Sequence, residues 1–267
     1  MTNPAKILMM LLFLFTTLAA SAQDKQQQAA EKCNAAISLM DDGKIDESIV
    51  LLKEAQALDP DKALYVYELA LAHYLKEDYE EAKSLLKQIL KDKDASDRFY
   101  QLLGNCYDIL GNSKKALDTY DDGLKLFPGS GSLWLEKGNV YWNKKDYAGA
   151  LSFYEKGIEV QPGFSSNYYR ASLIYLNSTE EIWGMIYGEL FINLERNSKR
   201  TSEMSKLLYE TYKREIKITS DTSISVSFSR NATISLADLK SKDFKLPFGV
   251  AVYEPTLSLS LVGKKSY

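Results

Sequence analysis

The stretch SLWLEKGNVYWNKKDYAGALSFYEKGIEVQP, residues 132–162, contains a pattern of small, aromatic and polar residues that recurs every 34 residues. One column of this pattern holds small residues: Ala36, Ala70, Gly104, Gly138 and Ser172. A second small column follows in each unit: Ser48, Ala82, Ala116, Ala150 and Gly184. A fixed period of this length indicates a repeat array, because one unit alone is too small to bury its apolar face.

Each period carries the signals of two helices. Within residues 132–162, apolar residues follow helical spacing from Ser132, a candidate helix start, to a polar break at residues 143–145. Asp146 then stands where a second helix would begin, and Asp78 and Asn112 occupy the same column in earlier units. A side-chain oxygen at this position caps a helix by accepting a backbone N–H. The pattern therefore predicts one helical hairpin in each unit.

Prolines and small residues indicate how the hairpins end and pack. Pro128 and Pro162 stop the second helices, because proline lacks the donor that a helix interior needs. The small columns allow two helix axes to approach to about 8–10 Å. The combination resembles the tetratricopeptide repeat, with Lys137 replacing the usual leucine, and the resemblance is carried by Trp134, Gly138, Tyr141, Ala150, Tyr154 and Pro162. The resemblance implies a mostly α-helical fold, an α-solenoid of stacked helical hairpins.

The resemblance covers residues 29–197, and five units are placed in it at 29–62, 63–96, 97–130, 131–164 and 165–197. The fifth unit is degenerate, since Glu181 and Gly188 stand where bulky apolar residues are expected. Terminal units of solenoids depart from the pattern because one of their faces has no neighbour. An alternative is that residues 167–194 form a different helical hairpin docked on the array.

Residues 202–218 are predicted to form a capping helix that covers the end of the array. Five apolar side chains there share one helical face: Met204, Leu207, Leu208, Tyr212 and Ile216. The alternative interpretation is an ordinary linker helix.

Residues 220–267 are predicted to be a small β appendage. Apolar residues alternate with serines, first at Ile224, Val226 and Phe228 and again at Leu257, Leu259 and Leu261. Alternation of this kind is typical of strands. Because three short strands make a marginal sheet, we expect the region either to be truncated or to be completed elsewhere.

Residues 1–22 have the pattern of a secretory signal peptide. A single Lys6 precedes an apolar run over residues 7–15, and Ala20-Ser21-Ala22 forms a small-x-small cleavage site. The run is short for a bilayer span, although an uncleaved anchor is the alternative. We expect export to the periplasm or cell envelope with cleavage after Ala22.

Composition and scarce ligand residues argue against several functions. Cleavage leaves 32 basic against 36 acidic side chains, without the basic cluster that nucleic-acid binding requires. Cys33 and Cys106 are expected to be free thiols, since two units of stacking separate them beyond disulfide reach. The single histidine, His73, occupies a packing column. No metal, no cofactor and no catalytic residue is predicted, because no motif supplies a zinc set or a convergent acid–base pair.

The resemblance also implies where a partner binds. In such repeats the first helices line a concave groove, and an extended peptide or a partner helix lies along it. The groove positions in this chain are Tyr67, Tyr74, Arg98, Gln101, Asn105, Asp108, Asn139, Trp142, Tyr169 and Arg170. The terminal-carboxylate clamp of the family is not predicted: only Arg98 and Asn105 match it, and Cys33 and Tyr67 stand where lysine is needed.

The function predicted from the sequence is an exported, non-enzymatic scaffold that presents a groove to a protein or peptide. It would meet a membrane only through its partners. The alternative is an adaptor whose specific activity lies in residues 220–267 or in chain beyond Tyr267. An empty, solvated groove and an enzyme are the remaining hypotheses, and the missing cluster of titratable residues argues against the enzyme.

Overall fold

A computed structural model describes the backbone of residues 4–220, 223–228 and 248–261, and the side chains of residues 23–217, 225–228 and 248–258. The chain forms two compact units, Met1–Phe127 and Pro128–Tyr267. The first unit contains α1 (Pro4–Asp41), α2 (Ile45–Leu58), α3 (Ala63–Leu75), α4 (Tyr79–Ile89), α5 (Asp97–Ile109) and α6 (Ser113–Leu126). The second contains α7 (Gly131–Asn143), α8 (Tyr147–Val160), α9 (Ser165–Tyr175), α10 (Glu181–Leu194), α11 (Lys199–Glu215), β1 (Ile216–Ser220), β2 (Ser223–Val226), a π-helical turn (Gly249–Tyr253) and α12 (Glu254–Leu261).

The helices pair as consecutive hairpins, and their starts are capped largely as the sequence predicts. The side chains of Asp78, Asn112 and Asp146 each accept a backbone N–H three residues further on, at 3.4, 3.1 and 2.9 Å. One predicted start is wrong: the cap of α7 is Ser130, whose hydroxyl accepts the N–H of Leu133 at 3.3 Å, and not Ser132. The helix begins at Gly131, two residues before the first helical residue that a cap at Ser132 would give.

In the first four hairpins, the residues of the first small column pair with a column of large residues: Leu52, Leu86, Tyr120 and Tyr154. A Cβ added at Gly104 would lie 2.1 Å from the ring of Tyr120, and one added at Gly138 would lie 2.3 Å from the ring of Tyr154. Where the small column holds alanine, the large column holds leucine instead, in the buried pairs Ala36 with Leu52 and Ala70 with Leu86. The second small column, at Ala82, Ala116 and Ala150, is fully buried. The summed side-chain volume of each small and large pair therefore stays nearly constant from one unit to the next.

The fifth hairpin, α9 with α10, uses the same small columns. Ser172 Oγ donates to the carbonyl of Gly184 at 2.7 Å. The two residues that depart from the pattern are contacts with α11: Glu181 pairs with Arg214, and a Cβ at Gly188 would lie 2.8 Å from Leu208. The irregular positions of this unit thus mark where the capping helix docks.

The capping helix starts and ends about three residues earlier than predicted, as α11. Its buried face consists of Met204, Leu208, Thr211 and Glu215, while Leu207, predicted on that face, is 42% exposed. Ser198 caps the start by accepting the N–H of Thr201 at 3.0 Å. Thr211 and Glu215 were not predicted on this face because the prediction considered apolar residues alone; Glu215 forms an ion pair with Arg214.

A small antiparallel sheet follows α11. Strands β1 and β2 pair Ile216 with Val226 and Ile218 with Ile224, with an irregularity between Ile218 and Ser220. Phe228, just beyond β2, is fully buried and meets the rings of Tyr212 and Tyr253 edge-on at 5.9 and 5.5 Å. A two-stranded sheet is marginal alone, so this aromatic anchor on α11 supplies part of its stability.

The strand predicted at Leu257, Leu259 and Leu261 is wrong, because these residues lie in α12. Pro255 is the second residue of α12, which continues directly from the π-helical turn at Gly249–Tyr253. Leu257 packs on the same cluster as Phe228. The described part of the C-terminal region is therefore mixed α and β, and the rest of the predicted appendage lies outside the described residues.

The N-terminal helix α1 begins at Pro4 and buries Ala29, Cys33, Ala36 and Met40. The predicted signal peptide, residues 1–22, lies outside the residues whose side chains are described. Among the described residues, no helix is both long and apolar enough to cross a bilayer. Cys33 and Cys106 are free thiols, and burial raises their pKa to about 11 and about 12 respectively.

Lys137, which replaces the usual leucine, is nine-tenths buried in α7. Its ammonium lies 5.0 Å from the ring centroid of Trp134 and 4.8 Å from that of Phe153. Trp134 and Phe153 are stacked on each other. The lysine stem thus fills the leucine position while its charge lies over aromatic rings.

Candidate functional site

In the first unit, Tyr67 and Arg98, two of the predicted groove residues, lie side by side. Tyr67 of α3 stacks on Phe99 of α5 with centroids 4.9 Å apart, and the guanidinium carbon of Arg98 lies 5.1 Å from the Tyr67 centroid. The Tyr67 side chain is covered, because the residue is only 5% exposed. A cavity of about 230 Å³ adjoins this stack and is lined by Lys62, Leu64, Tyr67, Asp94, Ser96, Arg98 and Phe99.

The charges of this first cavity are mostly paired. Lys62 Nζ lies 3.4 Å from Asp94 Oδ2 at its edge. Burial raises the pKa of the Glu68 carboxyl, and the guanidinium of Arg98 partly offsets that rise. Arg98 therefore already has a buried acidic neighbour, which limits its attraction for a ligand.

The two groove asparagines have a structural task that the sequence does not reveal. Asn105 Oδ1 accepts the hydroxyl of Tyr120 at 2.6 Å, and Asn139 Oδ1 accepts the hydroxyl of Tyr154 at 3.0 Å. Burial raises the pKa of Tyr154 strongly, so its hydroxyl keeps the proton that it donates. Asn139 Nδ2 donates in turn to Glu136 at 2.9 Å. These amides therefore tie the first helix of a hairpin to the second.

Three further predicted residues of the first unit lie apart from the cavity lining. Tyr74 meets Tyr79 edge-on at 5.3 Å, and Asp108 accepts the hydroxyl of Ser113 at 2.6 Å. Gln101 is half-buried in α5. Tyr74 and Asp108 thus contact the following helix, and this contact stabilises the hairpin.

In the second unit, Trp142 lines the larger cavity. We call this cavity, of about 450 Å³, the Trp142 recess; its lining is Trp142, Tyr147, Leu173, Ile174, Asn177 and Ser178. Trp142 lies at the end of α7 and meets Tyr147, which begins α8, edge-on at 5.3 Å. Arg170 of α9 places its guanidinium carbon 5.3 Å from the Trp142 centroid. Two aromatic rings and two aliphatic side chains therefore line the recess, and the guanidinium of Arg170 lies over one of the rings, that of Trp142.

Tyr169, the remaining predicted residue, does not contribute to the recess lining. Its ring lies 5.0 Å from that of Phe191 on α10 and 5.2 Å from the guanidinium of Arg200 on α11. Arg200 forms an ion pair with Glu195. Tyr169 therefore faces the capping helix, whereas Leu173 and Ile174 of the same helix face the recess.

Five of the six residues that line the recess were not predicted from the sequence. Leu173 stands one period after Asn139, so the column rule that selected Asn139 would also have found it. Tyr147 starts a second helix, and Asn177 and Ser178 follow the end of α9, so a rule restricted to first helices excludes them. Among the described residues, no group of three or more His, Cys, Asp or Glu is placed to hold a metal ion.

The consecutive helical hairpins, with a recess between α7, α8 and α9, define a helical-repeat protein. Tetratricopeptide-repeat family models match residues 39–106, 97–130 and 131–164. Residues 39–164 therefore match tetratricopeptide repeats, as the sequence pattern predicted.

Solved structures support the same fold at low sequence identity. A thermophilic tetratricopeptide-repeat protein of Thermus thermophilus is similar with a TM-score of 0.57 and 15% identity, over 68% of this chain and 99% of that one. PilF of Pseudomonas aeruginosa is similar with a TM-score of 0.56 and 16% identity, over 72% of this chain and 93% of that one. No curated protein sequence matches the chain.

Proposed function

We propose that the protein is an exported, non-enzymatic scaffold that binds a protein or peptide segment, with the Trp142 recess as its main anchor site. Tetratricopeptide repeats are typically binding modules, and an extended segment lying along first helices is a common binding mode for helical repeats. The recess supports this proposal because it is preformed and lies at the end of a first helix.

The volume and lining of the recess are the observation that carries the proposal. At about 450 Å³ it lies within the usual range of ligand pockets, about 300–1,000 Å³. Its lining joins apolar rings and aliphatic side chains to a few polar groups, the composition of a pocket that accepts one bulky apolar side chain. Aromatic residues in such pockets frequently dominate binding energy.

Replacing Trp142 with alanine is expected to weaken peptide binding about tenfold or more, because the ring forms one wall of the recess. Peptides selected by the wild-type protein from a random phage library would be synthesised, and their dissociation constants measured by fluorescence polarisation. Tyr209→Ala is the matched control, since it removes a 62% exposed ring from α11, outside the recess. Equal binding by wild type and folded Trp142→Ala would refute the anchor site.

Export is proposed on the pattern of residues 1–22, and the periplasm or cell envelope is the proposed location. Mature protein isolated from the producing cell is expected to begin at Gln23, which intact mass and N-terminal peptide mapping would establish. Ala22→Asp is expected to block cleavage, because signal peptidases require a small residue there. A retained Met1 in the wild type would contradict this proposal.

The rival hypothesis places the specific activity in residues 220–267 or beyond. Two aromatic side chains described there pack against the last helices of the array: Phe228 packs on Tyr212 of α11, and Phe248 stacks on Trp183 of α10 at 5.2 Å. Contacts of this kind favour a supporting role for the region, and so favour the recess as the binding site.

A further inference from the structure

Three arginines stack on an aromatic ring of an earlier helix, and they differ in their carboxylate partners. Arg98, Arg170 and Arg200 each hold the guanidinium carbon 5.1–5.3 Å from a ring centroid. Arg200 pairs with Glu195, and Arg98 lies close enough to Glu68 to offset part of the rise that burial causes in the pKa of that carboxyl. Within the described ranges no carboxylate forms an ion pair with Arg170, so its charge is available to a ligand.

Arg170 is also the arginine beside the larger cavity. Leu173 and Ile174, which line the recess, stand three and four residues after Arg170 on α9 and so share its helical face. The Trp142 ring touches both the recess and the guanidinium. Stacking on this ring holds the guanidinium in place before a ligand arrives, which lowers the entropy that binding costs.

The polar groups described near Arg170 form hydrogen bonds with one another. Tyr154, whose hydroxyl lies near Arg170, remains protonated because burial raises its pKa, and Asn139 is neutral. Glu136 on α7 accepts a hydrogen bond from Asn139 at 2.9 Å.

We propose that the Trp142 recess recognises a bulky apolar side chain with a carboxylate next to it, the side chain entering the recess and the carboxylate pairing with Arg170. This inference rests on the proposed function and narrows its ligand class. A guanidinium pairs with a carboxylate through two parallel hydrogen bonds, which fixes the orientation of the bound segment. The carboxylate belongs either to an acidic residue beside the anchor or to a chain terminus.

Small probes test this chemistry without knowledge of the natural partner. N-acetyl-phenylalanine and its amide would be titrated into full-length protein, following the methyl signals of Leu173 and Ile174 by NMR. The acid is expected to bind about threefold more tightly than the amide, the gain of one partly exposed ion pair. In Arg170→Met this preference should disappear, while Arg170→Lys keeps part of it.

Lys144→Met is the matched control, because it removes an equal charge whose ammonium lies over the neighbouring Tyr141 ring at 5.6 Å. It should preserve the preference for the acid. A second pair, N-acetyl-Asp-Phe-amide and N-acetyl-Asn-Phe-amide, distinguishes the sources: preference for the aspartyl peptide assigns the carboxylate to a side chain, and preference only in the first pair assigns it to a terminus.

The outcomes separate the two proposals. Equal binding of acid and amide in both pairs overturns the carboxylate inference and leaves the anchor site intact. Methyl signals that respond to none of the four probes overturn both. Loss of acid preference in Lys144→Met as well as Arg170→Met would show a general charge effect and overturn the assignment to Arg170.

Discussion

Replacing Gly138 with alanine is expected to lower the free energy of unfolding by about 2 kcal/mol, although alanine is the better helix former. The added Cβ would lie 2.3 Å from a ring atom of Tyr154, which is fully buried and hydrogen-bonded to Asn139. Overpacking of this kind typically costs about 1–3 kcal/mol, and helix propensity returns about 1 kcal/mol. We expect the cost of overpacking to lie near the upper end of its range and to exceed the gain in helix propensity, because the Tyr154 ring has no free space to move into. Urea denaturation followed by circular dichroism measures the loss.

Gly163→Ala is the matched control, since nothing lies within 4 Å of the added Cβ. The informative variant is Gly138→Ala with Tyr154→Leu, which recreates the buried pair Ala70 and Leu86. It should be more stable than the sum of the single losses predicts, with a coupling of about 1 kcal/mol or more. Additive losses would show that the two columns do not fit together as the repeat requires.

The repeat pattern predicted the hairpins because packing between a small and a large residue is set by volume, and volume can be read from residue types. Gly138 with Tyr154 and Ala70 with Leu86 are both complementary pairs. Asp146 as a helix cap is equally local, since the side chain bonds a backbone group three residues away. Local chemistry and a fixed period therefore determined this part of the fold.

The candidate site was harder to predict because it depends on contacts between helices. Asn139 was assigned to the groove by its column, yet its amide holds the hydroxyl of Tyr154. Tyr147 was excluded from the groove because it begins a second helix, yet it forms a wall of the recess. Alternation alone misassigned Leu257, since two leucines separated by one serine fit a strand or the first turns of a helix.

Two buried carboxylates, Glu181 at the start of α10 and Glu215 at the end of α11, are the clearest sign that α11 is built to cover the end of the array. Glu181 and Glu215 are each only 3% exposed, and both accept hydrogen bonds from the guanidinium of Arg214. Glu181 occupies a position where the repeat pattern has an apolar residue. Its charge is paired by Arg214 when α11 packs against α10. Arg214 is therefore the residue on which this end of the second unit most depends.

Arg214→Met is expected to destabilise the protein by about 3 kcal/mol, because it leaves two buried carboxylates without their cation. This value is the lower end of the range for breaking a buried pair, since the Arg214 side chain is itself 48% exposed. Urea denaturation followed by tryptophan fluorescence would detect the loss, because Trp183 lies on α10, the helix that carries Glu181.

Two variants decide whether the lost cation is the cause. Lys213→Met removes the neighbouring exposed cation, whose contact is the ring of Tyr209, and should change stability by less than about 0.5 kcal/mol. Glu181→Leu in the Arg214→Met background restores the apolar residue that the repeat expects and should recover part of the stability, because a buried charge is then replaced by an apolar side chain. If Arg214→Met unfolds at the same urea concentration as Lys213→Met, the carboxylates are solvated in solution and α11 does not depend on them.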